Sequence, residues 1–164
     1  MLNEICESIV IALTARDIPA VQAYPEGRLN RDMPCVTLSV ENAEFTRSGW
    51  GSYLGTKSEG GVVSELYGGR AELSLKLTVY TPAWQGSDEA RRLLDESCSA
   101  LAEGLPNLHI KKISCGEPGF DGESEMFSCP CRIECSAYLV KSRSEETGIF
   151  SDFYLKGEMN GHEC

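Results

Sequence analysis

From Ala71 to Tyr80 the chain alternates without a fault. Ala71, Leu73, Leu75, Leu77 and Val79 fall on one side, and Glu72, Ser74, Lys76, Thr78 and Tyr80 on the other. Successive side chains of an extended strand point to opposite faces, so this run specifies a strand with one face in an apolar core and the other in water. A sheet that is apolar on one face must be covered there by a second layer. The rest of the chain has to supply that layer.

Two stretches have the period to do so. Leu2, Ile5, Cys6, Ile9, Val10 and Leu13 recur at spacings of three and four, which predicts an amphipathic helix over residues 2–16, ended by Ile18-Pro19. Ser87 is expected to cap a second helix over 88–103, with Asp88 and Glu89 at its positive end and Gly104 where a C-terminal cap belongs. Its buried stripe reads Ala90, Leu93, Leu94, Cys98, Leu101 and Ala102. Short alternating runs predict strands over 20–24 and from Val36 to Val40. Two more follow over 108–117 and 126–141, joined through Pro118-Gly119 and Asp121-Gly122, and a last one over 149–155. The expected fold class is α+β: a two-layer sandwich of a mostly antiparallel sheet with two helices on one face. A length of 164 residues suits one core, with a single α+β domain over 1–141 and a polar C-terminal tail over 142–164.

Residues 47–69 interrupt this regularity. They hold seven of the sixteen glycines (Gly49, Gly51, Gly55, Gly60, Gly61, Gly68 and Gly69) together with Trp50, Tyr53 and Tyr67. So long and Gly-rich a connection reads as a loop or a β-hairpin arm, either mobile or ordered against a neighbouring subunit. A phosphate cradle is the weaker reading, because the third glycine of a G-x-G-x-x-G pattern would fall at Leu54. Trp50, Tyr53 and Tyr67, with Phe150, Phe153 and Tyr154 of the tail, are the candidate interface residues, since exposed aromatics mark contact surfaces.

The chemistry-bearing residues are sparse. Of the two histidines, His109 sits within a predicted strand and His162 in the tail, and no nucleophile elbow, metalloprotease pair or P-loop occurs. No catalytic residue, cofactor-binding residue or metal ligand is therefore assigned, and the chain is read as a non-enzyme. Asp121, Glu123 and Glu125 form a solvated acidic turn, because Met126 stands where a calcium loop needs glycine. Eight cysteines without a visible export signal are expected to be reduced thiols. Cys129, Cys131 and Cys135 share strand parity with Ile133, Ala137 and Leu139, which makes them small core-facing hydrophobes. A zinc site from Cys115, Cys129, Cys131 and Cys135 would need thiolates one and three residues apart along a strand, a poor match to paired turn ligands.

A net charge of -10 argues against a phosphate-binding surface. Residues 116–164 contribute -6 of it, from ten acids against four bases, a field that repels DNA and attracts basic partners. No apolar stretch approaches the roughly 20 residues of a membrane span, so a soluble chain is expected.

The arrangement resembles the tail terminator, or tail completion, proteins of long-tailed phages and prophages. The resemblance spans about residues 1–141. It rests on the opening helix, the strand Val36 to Val40 with its long following loop, the run Gly69 to Tyr80, the helix after Ser87 and the hairpin ending in Cys131 to Val140. It implies a structural virion assembly protein that forms a homo-oligomeric ring, typically hexameric, caps the tail tube and joins it to the head-tail connector. It also implies a prophage-encoded chain of the bacterial cytoplasm, assembled into the virion tail, with no direct nucleic-acid or membrane contact. Alternatives are another phage tail component, of tube or baseplate, and a small-molecule-binding or enzymatic domain.

Overall fold

The computed structural model describes residues 2–22, 30–47, 53–59, 62–105, 108–144 and 150–156, with backbone alone for 59, 62, 141–144 and 150–156. Helix α1 (Leu2–Thr14) leads to β1 (Ala20–Gln22), β2 (Cys35–Arg47), β3 (Tyr53–Glu59) and β4 (Val62–Pro82). A 3-10 turn (Ala83–Gln85) then enters α2 (Gly86–Ala102), followed by β5 (His109–Cys115), β6 (Gly119–Asp121), β7 (Met126–Ser144) and β8 (Phe150–Lys156). The fold is the expected α+β sandwich, built on one eight-stranded mixed sheet.

Two strands of 21 and 19 residues, β4 and β7, form its spine. They pair antiparallel from Ser64↔Ser144 to Pro82↔Met126 without a register shift. Every other strand lies along an outer edge of this pair. β2 and β3 occupy successive lengths of the free edge of β4. β6, β5 and β8 do the same along β7. β1 then adds to β2 as the one parallel pair.

The alternation at 71–79 is buried as expected: Leu75, Leu77 and Val79 are 0 % exposed and share one core with Cys129, Cys131, Ile133, Cys135 and Ala137 of β7. Ile5, Cys6, Ile9 and Leu13 of α1 and Ala90, Leu93, Leu94, Ala100 and Leu101 of α2 close the same core, so both helices lie on one face. The α2 stripe differs from expectation at its end. Ser97 and Ala100 are buried, whereas Cys98 is half-buried and Ala102 exposed. Ser97 reaches burial because its hydroxyl donates to the Leu93 carbonyl, 2.7 Å away.

Both helix ends are set by backbone geometry more than by the residues that sequence reading favours. The 3-10 turn runs straight into α2, so the helix begins before Ser87, and neither Ser87 nor Gln85 at the N-cap supplies a side-chain cap. Helix α1 ends earlier than Pro19 requires. Asp17 turns left-handed (φ 61), with Asp17 N–H donating to Thr14 and Ile18 N–H to Leu13, a Schellman closure sealed by the buried Leu13 and Ile18.

Two of the register shifts re-phase strands that line the core. The register slips between Val40 and Asn42, so Val40 and Ala43, three apart, both fall opposite core residues of β4, Leu75 and Leu73. A second slip between Ile110 and Lys112 does the same for Ile110 and Ile113 against Cys135 and Ile133. Pro130 lies inside β7 yet breaks no spine bond. Its carbonyl accepts from Gly116 N–H at 2.8 Å on the outer edge, and an extended residue points its N and C=O to the same side, so the missing N–H faces the gap between β5 and β6.

Among the described residues the opposite sheet face carries no helix; it is polar over the body of the sheet, and toward its distal end it holds the buried Leu66 and Val140. Arg132 pairs with Glu41 at 2.9 Å, and Glu72 with both Arg70 and Lys111. The Lys111 ammonium foremost holds the Glu72 carboxyl below its ordinary range.

The segment expected as a Gly-rich loop is strand over its described residues, since β3 and the start of β4 pair from Tyr53↔Tyr67 to Glu59↔Val62. It is the hairpin form of the arm. Gly68 is what permits it: a Cβ there would come within 1.9 Å of the Leu139 carbonyl oxygen. We predict that Gly68→Ala destabilises the chain by roughly 1–3 kcal/mol through overpacking against backbone. Gly122→Ala, which meets open space, should be close to neutral in the same chemical-denaturation measurement. Ile133→Ala, at the centre of the core, should cost about 2–5 kcal/mol.

Candidate functional site

The apolar core ends along the spine at Ala71 and Ala137, and beyond them β3, β4, β7 and β8 continue as a four-stranded distal sheet. Cross-strand partners share a face. Tyr53 is opposite Tyr67, Tyr67 opposite Lys141, and Lys141 opposite position 153, which makes one continuous row across the four strands. The two tyrosine rings meet edge to face, with centroids 5.6 Å apart and planes at 68°. Tyr53 is 46 % exposed, and the Tyr67 hydroxyl donates to Glu65.

The register assigns the remaining candidates. A slip between Ser142 and Arg143 puts position 150 opposite Arg143, on the same face as Tyr67. Tyr154 is opposite Val140, on the other face. The side chains of Phe150, Phe153 and Tyr154 are outside the described residues, as is the whole of Trp50. Sequence reading missed Phe45. It pairs with Ala71 on the Tyr67 face and is 51 % exposed, but its parity could not be read across the bulge after Val40.

A second aromatic group sits at the far end of the spine. Trp84 is 75 % exposed on the turn after β4, and Phe120 is 59 % exposed in β6, edge to face with Phe127. From Tyr67 to Thr81 the strand runs 14 residues, or roughly 45 Å at an extended rise. The molecule thus shows aromatics at opposite ends. The acidic turn beside Phe120 is organised locally: Asp121 accepts from Ser124 Oγ at 2.6 Å and from the backbone N–H of Glu123 and Ser124. The Ser124 hydroxyl, with those amides, lowers its carboxyl pKa. His109 opens β5 as an exposed strand residue, and His162 is outside the described residues.

The thiols divide into two groups. Cys129 and Cys135 are 1 % exposed and pack in the core, as their parity implied, and burial pushes the Cys135 thiol up to about 12. Cys115 and Cys131 face each other across the β5–β7 ladder with Sγ atoms 3.6 Å apart. Cys98 of α2 closes on them, its Sγ 3.5 Å from that of Cys115, and all three sulfurs lie within 4.8 Å of one another. The four cysteines considered for zinc are therefore not brought together as a set. The cluster recruits a helical cysteine 17 positions from the nearer of its strand partners, a spacing that no ligand motif signals. Donation from Cys131, then from Cys115, lowers the Cys98 thiol to about 7 against the opposing effects of burial and Asp95. The hydrogen bond to Cys98 and burial raise Cys131.

No protein-family model matches the chain, and no curated protein matches it.

Because the thiolate is the nucleophile, Cys98 is the thiol of this cluster expected to react first. Its alkylation rate should rise through half-maximum near pH 7, read by mass mapping of iodoacetamide adducts, while Cys131 stays unmodified in the folded chain. Cys131→Ala removes the main donor and should move the Cys98 midpoint upward.

Proposed function

We propose that this chain is a structural assembly subunit which associates with copies of itself through its distal sheet, in the manner of the phage tail terminators that it resembles. The observation that carries this reading is the distal sheet itself. Among the described residues β3 pairs only with β4 and β8 only with β7, so both outer edges are open, beside exposed Phe45 and Tyr53. Open strand edges are templates for another chain, and a protein that stays single usually blunts them. A monomer gains nothing by displaying large aromatic rings to water.

The second aromatic group supports a particular kind of contact. A distal surface bearing Phe45 and Tyr53 and a remote one bearing Trp84 and Phe120 are different patches, suited to head-to-tail contact of one subunit with the next. Heterologous contacts of this type close into rings or run on as filaments. A terminator caps a tube and therefore has to close, so a ring, typically of six, is the form proposed, with the tail tube and head-tail connector as partners. A tube component would use the same two patches without closing.

Light scattering over a concentration series, with and without tail-tube protein, should give a closed oligomer with a fixed upper mass, and electron microscopy should show rings. Tyr53→Ala and Trp84→Ala, at opposite ends, should each weaken association by roughly tenfold or more, the scale of a central aromatic anchor. A strict monomer under both conditions, or association indifferent to both substitutions, would overturn the proposal. Filaments of unlimited length would favour a tube component.

A further inference from the structure

The three-thiol cluster has no part in that assembly reading, and its construction is hard to attribute to packing. A cysteine used as a small hydrophobe is buried. Cys115 is exposed, yet it stands between the half-buried Cys98 and the buried Cys131 at contact distance from both. Three separate elements deliver the sulfurs: the C-terminal half of α2, the end of β5 and the first third of β7. The β5–β7 register fixes one pair and the seat of α2 on the sheet fixes the third, so the fold holds the set without help from a ligand.

The spacing suits a soft cation. Zinc bonds thiolate sulfur at about 2.3 Å with tetrahedral angles, which puts neighbouring sulfurs about 3.8 Å apart. Two edges of this triangle measure 3.5 and 3.6 Å, and the third lies within 4.8 Å. We propose that Cys98, Cys115 and Cys131 form a binding site for one thiophilic cation of the zinc and cadmium class, held by three thiolates with a fourth position open at the exposed Cys115 side. All-sulfur donor sets select this class over hard oxygen-seeking ions. Binding displaces the protons of the thiols, so affinity rises with pH. The ion would tie α2 to the sheet at the outer border of the core. The site is independent of whether the subunit forms rings.

The test uses the full chain, reduced and stripped with a chelator. Titration with Co(II), then displacement by Zn(II) or Cd(II), should show one equivalent bound, a sulfur-to-metal charge-transfer band and a metal-dependent rise in Tm. Cys98→Ser and Cys115→Ser should each abolish the band and the Tm shift. Cys115→Ser is the safer variant, because its side chain is outside the core and the fold should survive it. Cys35→Ser, away from the cluster, should leave both readouts unchanged. Absence of a charge-transfer band at stoichiometric metal would overturn the proposal. So would a band that survives both cluster substitutions, or a Cys98–Cys115 disulfide that persists in the chain under reductant.

Discussion

Everything in this molecule hangs on the uninterrupted pairing of β4 with β7. Their ladder runs from Ser64↔Ser144 to Pro82↔Met126, and each remaining strand is anchored to one of its two edges or to a strand that is. A ladder this long outruns the helices. Over its middle, α1 and α2 cover one face and bury the alternating apolar residues; past Ala71 the same two strands continue, among the described residues, with no second layer of helix. The body and the distal sheet are thus two parts of one pair of strands, which explains how a chain of this size can have both a helix-covered core and a distal sheet that displays Phe45 and Tyr53.

Periodicity carried most of the body. The faultless alternation at 71–79 and the three-four stripe of α1 need only local geometry, and both are found where their spacing puts them. What resisted reading depends on pairing partners. The bulge after Val40 shifts parity, so Ala43 and Phe45 look misplaced to any rule of strict alternation. The bulge between Ile110 and Lys112 hides the common face of Ile110 and Ile113 in the same way. Glycine density in 47–69 signals a loop by composition, yet Gly68 and Gly69 are there because Leu139 and Thr46 backbone atoms pass too close for a side chain. Composition cannot distinguish freedom from crowding.

The candidate sites divide along the same line. Tyr53 and Tyr67 could be named from the sequence, but their union in one row with Lys141 is a product of register across strands far apart in the chain. Trp84 is exposed, and its placement on a turn after a long strand carried no periodic signal. Cys98 escaped the cysteine reading because it belongs to a helix, while the parity argument concerned strands. Its convergence with Cys115 and Cys131 exists only once α2 has docked on the sheet.

The long ladder also dictates an order of events during folding. Pro82 and Met126 are 44 positions apart, and α2 lies between them; Ser64 and Ser144, at the other end, are 80 apart. Closing the shorter loop costs less chain entropy, and once it is closed each further pair extends the ladder without a new closure. By the same argument the two distal hairpins, β3 with β4 from Glu59↔Val62 and β7 with β8 from Arg143↔Phe150, close through still shorter connections, so each distal strand pair is local while the union of the two pairs is what the long closure has to deliver.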